Sequence, residues 1–221
     1  MMKRILIVSF LFLMTAPAVY SQAAYPFWND VQQFKKQDSI SFPAANQILF
    51  IGSSSFTLWK DVHEYFPGYR ILNRAFGGST LNDVARYRYD VIYPYQPKQI
   101  VLYCGENDFA SSDTVTVDMV VQRFKTLFDF IRAKYPAVPF AYVAMKPSPS
   151  RARLMQKYAE ANQRIQQLLK KEKLCVFVDV YSKMLKPDGT PMDDIFLGDN
   201  LHMNAKGYAI WKKLLLPVLK K

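Results

Sequence analysis

Cysteine and histidine are scarce in this chain of 221 residues, which contains two of each. Cys104 and Cys175 lie far apart, as do His63 and His202, and their spacing matches no pattern of metal ligands. We therefore expect no structural zinc, no other metal and no cofactor. The two cysteines could pair in an exported protein. Because both lie in apolar β-type runs, buried free thiols are favoured.

The sequence also has no zinc finger, no RNA-binding signature and no arm rich in Lys and Arg, so nucleic acid is not an expected partner. The formal net charge is +11, with basic residues spread along the chain. Such a surface could contact anionic glycans or lipids, or it could simply keep the protein soluble. Nothing in the pattern indicates an oligomeric state.

Only one long apolar run is present, at residues 5–19, between the basic start at Lys3 and Arg4 and a group of small and polar residues. This order is typical of a secretory signal peptide, so we expect residues 1–22 to be removed and the protein to be periplasmic or secreted. The run is short for a membrane span, which needs about 20 residues. An uncleaved anchor is the alternative. Residues 23–221 are then expected to form one domain.

Short β-branched or aromatic runs alternate with amphipathic segments from residue 47 onward. Their near-continuous hydrophobicity is typical of parallel strands that are covered on both faces. We predict an α/β protein, a three-layer α/β/α sandwich around a five-stranded parallel sheet. The expected strands are 47–51, 70–73, 99–103, 140–145 and 174–180. The expected helices are 57–66, 81–93, 117–134, 151–171 and 205–219, with Asn204 as the N-cap of the last.

Ligands of open parallel sheets bind beyond the carboxyl ends of the strands. Four polar segments are expected there or just before the last helix: Gly52–Ser55, Gly77–Thr80, Gly105–Asp108 and Asp199–Asn204. A serine esterase needs an imidazole as base and a carboxylate to orient it. Asp199 and His202 have a suitable spacing, although a D-x-x-H pattern alone is weak. His63 is interpreted as an ordinary helix residue.

Each of the other three segments has a structural and a chemical interpretation. The serines at 53–55 could cap the next helix, or one could place a nucleophile at its N-terminus. The glycines at 77 and 78 could form a turn, or their amides could bind an anion. Asn107 could belong to a turn, or donate a hydrogen bond to an oxyanion. The serine segment lacks the second glycine of a G-x-S-x-G elbow, which disfavours an ordinary α/β-hydrolase.

In their order and spacing, the four segments resemble the motif blocks of the SGNH hydrolase family, the GDSL-type esterases and lipases. The resemblance implies a flavodoxin-like SGNH hydrolase fold and a serine esterase, with Ser54 as nucleophile and Asp199 and His202 as its partners. Gly78 and Asn107 would complete the oxyanion hole, with Gly77 the alternative to Gly78. Within the family, the sequence is similar to the platelet-activating-factor acetylhydrolase-like branch. One departure is that Ser53 replaces the aspartate of the G-D-S-L motif.

The resemblance implies hydrolysis of a carboxylic ester, with a short acyl group on a carbohydrate or lipid as the expected substrate. A flavodoxin-like phosphate or nucleotide binder and a non-catalytic glycan-binding relative are the alternatives. Lys146 and Arg151 could reach an anionic substrate or lie on a solvated surface. The aromatic residues beside the motifs could line a pocket, but core packing is favoured; these are Phe56, Trp59, Tyr103 and Phe109.

Overall fold

The computed structural model describes residues 25–221, so the predicted signal peptide lies outside the described residues. Five parallel strands form one sheet in the order β2-β1-β3-β4-β5. The strands are β1 (Ile48–Gly52), β2 (Ile71–Asn73), β3 (Gln99–Tyr103), β4 (Phe140–Val143) and β5 (Cys175–Val178). All five predicted strands are present; the bounds of β3 are as predicted, and the ends of the other four differ by at most two residues. This strand order is that of flavodoxin-like folds. From β1 the sheet first grows to one side, with β2, and then to the other side, with β3, β4 and β5, so the switch point lies between β1 and β3.

The helices of the described part cover both faces of the sheet. They are α1 (Trp28–Ile40), α2 (Ser54–Thr57), α3 (Val62–Tyr65), α4 (Leu81–Arg86), α5 (Arg88–Val91), α6 (Glu106–Ala110), α7 (Val117–Lys134), α8 (Met155–Leu169) and α9 (Ala205–Leu215). Two 3₁₀ turns lie at Pro149–Leu154 and Ser182–Met184. None of the helices among residues 25–221 is both long and apolar enough to cross a bilayer.

The alternation of side chains along each strand divides the core into two layers. On one face, Leu49 and Leu102 pack with α1, α4, α5, α7 and α8. On the other, Phe50 and Val101 pack with the α2–α3 segment and α9. Every residue of β1, β3 and β4 is buried, as the continuous apolar runs predict. The three-layer prediction is confirmed. The four aromatic residues beside the motifs are also core residues, each at most 2% exposed.

Helix boundaries follow the sequence less closely. The predicted bounds of α7 are correct, and Asn204 caps α9 by accepting from the N–H groups of Lys206 and Gly207. The predicted helix over 57–66 is interrupted between α2 and α3, and that over 81–93 between α4 and α5. The predicted helix over 151–171 starts as the 3₁₀ turn, and α9 ends at Leu215. Tertiary packing therefore shortens helices whose apolar pattern continues.

Helix α1 was not predicted, because only Val31 of its residues is buried and it has no apolar stripe. A polar contact adds to the packing of Val31 in the core. Asp38 forms a largely buried ion pair with Arg74, just beyond β2, and accepts a hydrogen bond from the Tyr95 hydroxyl. Burial raises the pKa of Tyr95, which keeps this hydroxyl protonated and able to donate. The helix thus depends on partners far away in the sequence.

Gly52 ends β1 in a conformation that only glycine tolerates well. Its φ is 124°, and an added Cβ would lie 1.9 Å from the carbonyl oxygen of Tyr103. We expect Gly52→Ala to lower the free energy of unfolding by about 3 kcal/mol or more, since backbone strain and a steric clash add. Denaturant unfolding with circular dichroism measures this loss.

Gly189 provides the matched control, because its φ is 81° and an added Cβ would meet nothing within 4 Å. Gly189→Ala should cost only the backbone strain, about 1–2 kcal/mol. An equal loss in the two variants would contradict the steric explanation for Gly52.

Candidate functional site

Ser54 lies at the carboxyl edge of the sheet, beside the reversal of strand order. It is the first residue of α2 and is half-buried, whereas Ser53 is buried. The N–H of Ser53 donates to the Tyr103 carbonyl at 2.9 Å, and its carbonyl accepts from the N–H of Phe56 at 3.0 Å. These backbone bonds secure the loop between strand and helix. The aspartate that Ser53 replaces is therefore not needed to hold it.

The glycine loop after β2 lies against this helix. An added Cβ at Gly77 would be 3.9 Å from the Ser54 Cβ, and Gly78 has a φ of 85°. Among residues 25–221, neither the Ser54 nor the Gly78 N–H donates to a protein acceptor. Within the same residues the Gly77 N–H is equally uncommitted, so either glycine could join Ser54 in receiving a developing oxyanion. Thr80 also caps α4 through a capping box with Asp83, so the structural interpretation of this segment holds as well.

Asn107 belongs to α6, directly after β3, and three hydrogen bonds fix its side chain. Nδ2 donates to the Ser53 Oγ at 2.8 Å and to the Ser79 carbonyl at 3.0 Å. Oδ1 accepts from an Arg151 Nη atom at 2.8 Å. The carboxamide thus connects the loops that follow β1, β2 and β4.

Asp108 anchors α6 from the other side. Its buried carboxylate accepts from the Leu81 N–H and from Arg123, both at 2.9 Å. Burial raises the pKa of Asp108, and the hydrogen bonds from Leu81 and Arg123 oppose that shift. The Gly105–Asp108 segment, which could have been an ordinary turn, is a short helix joined to the glycine loop.

Lys146 is buried, so the solvated surface, one of the two interpretations that the sequence left open for it, is wrong. It is 1% exposed, and its Nζ lies 3.2 Å from a Glu106 carboxylate oxygen. Burial lowers the pKa of Lys146, and the neighbouring Glu106 opposes this shift. Glu106 also accepts from the Lys146 N–H at 2.9 Å and from the buried Tyr103 hydroxyl. Arg151 joins the same group, 3.6 Å from Glu106.

Sequence reasoning missed Glu106. The available signal was that opposite charges, at Glu106 and Lys146, follow two strands that turn out to be neighbours. Their proximity became evident only once β3 and β4 were known to pair.

The predicted carboxylate–imidazole pair is formed in the loop before α9. The Asp199 carboxylate lies 2.6 Å from the His202 Nδ1 and accepts from the His202 N–H at 2.9 Å. That backbone hydrogen bond is the main reason that the pKa of Asp199 falls to about 2. An ionised Asp199 holds the proton on Nδ1, which leaves Nε2 free to accept another.

The loops that follow β1, β3 and β4 and the loop before α9 meet at a small pocket beside Ser54. Asn107, Arg151 and Leu201, the neighbour of His202, line it together with Ser54. The Ser150 N–H donates to the Asn200 carbonyl at 3.1 Å, which joins the 3₁₀ turn to the histidine loop. No hydrogen bond within residues 25–221 joins the Ser54 Oγ to His202. Catalytic hydrogen bonds are often long without substrate, so the roles of Ser54, Asp199, His202, Gly78 and Asn107 stay predictions.

His63 is exposed on α3. It lines a cavity of about 300 Å³ between α1 and the α2–α3 segment. The other polar residues that line this cavity include Gln33, Gln37, Thr57 and Asn73. The Thr57 Cγ2 would be 4.0 Å from an added Cβ at Gly77. The cavity therefore begins about one helical turn from Ser54.

The two cysteines are free thiols, as favoured from the sequence. Cys104 is buried, and burial raises the pKa of its thiol well above the usual value. Cys175 is only partly buried and accepts a hydrogen bond from Arg132 at 2.9 Å.

Comparison with known proteins shows which solved structures share this fold and which family the chain matches. Among curated proteins, none matches the chain. A protein from Streptococcus pneumonia, described as a platelet activating factor, is 21% identical with a TM-score of 0.76 over 87% of this chain and 92% of its own. A GDSL-like lipase from Bacteroides thetaiotaomicron is 21% identical, with a TM-score of 0.71 over 85% and 95%.

An acetyl-xylooligosaccharide esterase from Geobacillus Stearmophilus, solved as a mutant, is 14% identical, with a TM-score of 0.60 over 80% of this chain and 96% of its own. At these identities the structures show a shared fold. Residues 52–210, most of the chain, match the GDSL-like Lipase/Acylhydrolase family. The chain therefore belongs to this family of hydrolases that act on esters.

Proposed function

We propose that the protein is a serine esterase that hydrolyses short-acyl esters, with Ser54 as nucleophile, His202 as base and Asp199 as its orienting carboxylate. The observation that carries this proposal is the 2.6 Å contact between Asp199 and His202. It lies in a loop whose Leu201 lines the same pocket as Ser54. A hydroxyl at a helix start and an oriented imidazole are the parts that acyl transfer needs.

In the first half of the reaction, the His202 Nε2 removes the proton from the Ser54 Oγ as this oxygen attacks the ester carbonyl carbon. The carbonyl oxygen becomes negatively charged. The bond from carbon to the alcohol oxygen then breaks, and the proton on Nε2 passes to the leaving alcohol. Ionised Asp199 stabilises the imidazolium that exists between these two transfers.

The N–H groups of Ser54 and Gly78 and the side-chain amide of Asn107 receive the oxyanion. Both Nδ2 protons of Asn107 already have acceptors, the Ser53 hydroxyl and the Ser79 carbonyl. A charged oxygen is a stronger acceptor than a neutral hydroxyl. The oxyanion therefore takes over the proton directed at Ser53, so this contribution is made in the transition state and not to the bound ester.

In the second half, water replaces the alcohol. His202 Nε2 removes a proton from the water as it attacks the acyl carbon. The tetrahedral intermediate then breaks down, its bond to the Ser54 Oγ opens, and His202 returns the proton to this oxygen. The free acid leaves, and the protein returns to its starting state.

The size of the pocket favours a short acyl group. The space beside Ser54 is about 10 Å³ and is partly open, which is room for about one water molecule. Glu106 and Arg151, which lie 3.6 Å apart, are among the residues that line it. An acetyl methyl group fits this space, and a long acyl chain does not.

The larger cavity favours a carbohydrate as the alcohol part. Its polar lining carries amides at Gln33 and Gln37, with one acid and one amine, Asp30 and Lys60. The lining also includes apolar side chains, those of Phe34, Trp59, Val62 and Ala75. Amides and balanced charges suit the hydroxyl groups of a neutral sugar better than an acyl chain, which needs apolar walls. The similarity to an acetyl-xylooligosaccharide esterase agrees with such a substrate.

An ester series tests this function. We expect kcat/KM to fall at least about tenfold from p-nitrophenyl acetate to the octanoate, because the longer chain clashes with the pocket. Acetylated xylo-oligosaccharides should release acetate faster than a glycerophospholipid of equal concentration releases fatty acid. Rates that rise with chain length would contradict the short-acyl proposal. If none of these esters is hydrolysed, a non-catalytic glycan-binding protein becomes the better description.

Export is part of the same proposal. Residues 1–22 would be removed as a signal peptide, which places the enzyme in the periplasm or outside the cell, where it meets glycan esters. Without Lys3 and Arg4 the formal net charge falls from +11 to +9, which would favour acidic glycans or anionic lipid surfaces in its vicinity.

A further inference from the structure

We propose that Arg151 is a positioning residue for the esterase reaction: it orients and polarises the Asn107 carboxamide that receives the oxyanion. The inference rests on the proposed function. Arg151 lies in the 3₁₀ turn after β4, and its side chain is 18% exposed. It donates to the Asn107 Oδ1 at 2.8 Å.

The chemistry of the partners fixes which way the amide faces. A guanidinium has only donors, so the atom that meets Arg151 must be the oxygen. The Ser79 carbonyl has only acceptor capacity, so the atom that meets it must be the nitrogen. Two partners of opposite kind therefore specify one orientation, with Nδ2 on the side of the nucleophile loop.

Arg151 is in turn held by Glu106, on the side that faces the protein interior. Glu106 lies 3.6 Å from its guanidinium and 3.2 Å from the Lys146 Nζ. Glu106 has only 8% of its side chain exposed and is fixed by the Lys146 N–H and by Tyr103. A network of polar contacts thus leads from the buried ends of β3 and β4 to the pocket; its members are Lys146, Glu106, Arg151 and Asn107.

Through this network, Arg151 acts on the transition state in two ways. Without Arg151 only the contact to the Ser79 carbonyl would still favour this orientation, so the amide would turn over more readily and place its oxygen towards the oxyanion, which it would repel. With Arg151 in place, a positive charge at Oδ1 draws electron density from the amide and strengthens Nδ2 as a donor. Both effects grow with the charge on the oxyanion. They therefore raise kcat more than they lower KM.

Arg151→Met removes the donor, and Arg153→Met is the matched control. Arg153 is two residues away, is 65% exposed and pairs with Asp113 at the surface. We expect Arg151→Met to lower kcat on p-nitrophenyl acetate about tenfold, as for one lost hydrogen bond to a charged group, with KM within about twofold. Arg151→Lys should recover part of the loss, since Lys can donate one bond. Arg153→Met should match the wild type.

A double-mutant cycle shows whether Arg151 acts through Asn107. We expect Asn107→Ala alone to lower kcat roughly 10²–10³-fold, as for a lost oxyanion donor. In that background Arg151→Met should cost less than about twofold, because its target is gone. An unchanged tenfold loss would overturn the proposal, as would equal kcat values for Arg151→Met and Arg153→Met. Thermal unfolding identifies variants that fail to fold; if Arg151→Met is one, Arg151→Lys takes its place in the cycle.

Nuclear magnetic resonance tests the orientation without any reaction. The side-chain NH₂ signals of Asn107, assigned by their absence from Asn107→Ala, should be sharp and protected from exchange in the wild type. They should broaden and exchange faster in Arg151→Met but not in Arg153→Met. Unchanged signals would overturn the positioning role. If the wild type hydrolyses no ester while these signals behave as expected, the proposed function is wrong, whereas the orientation of the Asn107 amide by Arg151 stands.

Discussion

Ser54→Ala is expected to reduce hydrolysis of p-nitrophenyl acetate to near background, a loss of about 10⁴-fold or more in kcat. Without the hydroxyl no acyl-enzyme forms, and the oxyanion donors alone leave only a small rate above that in water. The half-buried position of Ser54 at the start of α2 means that removing one oxygen should leave the fold unchanged. Initial rates and a thermal unfolding curve measure the two quantities.

Covalent labelling identifies the serine independently of the rate. A fluorophosphonate should modify the wild type at Ser54, located by mass spectrometry of the peptide, and should not modify Ser54→Ala. Ser53→Ala should keep the label, since the Ser53 hydroxyl is buried and its role is to accept from Asn107. Wild-type rates in Ser54→Ala, or a label on Ser53, would show that the nucleophile was assigned wrongly.

His202→Ala is expected to lower kcat by about 10⁴-fold, because no other imidazole can take the serine proton. His63→Ala is the matched control, since it removes the one other histidine of the chain. His63 is exposed on α3 and lines the larger cavity, so its loss should change kcat on p-nitrophenyl acetate less than about twofold.

The pH dependence of kcat is a further test of the Asp199–His202 pair. With a pKa of about 2, Asp199 keeps its charge at every pH above about 4. Any loss of activity between pH 4 and 7 must therefore come from another group.

A loss in His63→Ala as deep as that in His202→Ala would mean that the wrong imidazole was chosen.

The strands and most motif positions follow from local patterns. Continuous apolar runs predicted β1, β3 and β4 because both faces of these strands are covered, and hydrophobicity alone records that burial. The D-x-x-H spacing predicted the Asp199–His202 pair because three residues span one turn, a distance that chain geometry controls.

The missed features depend on partners distant in the chain. Helix α1 is attached by Asp38 to Arg74 and Tyr95, and a buried ion pair leaves no periodic pattern in the sequence. The burial of Lys146 was not predicted for the same reason, since it is tolerable only because Glu106 lies beside it.

The sequence by itself determined the α/β class, the five strands and the loops that carry polar groups, because these follow from hydrophobic periodicity and turn chemistry. Only the tertiary structure decided how those loops are connected: which way Asn107 faces, that Arg151 and Glu106 hold it, and that α1 forms one wall of the larger cavity. Such contacts arise when strands distant in sequence become neighbours in the sheet, and pairing of this kind has no local signature.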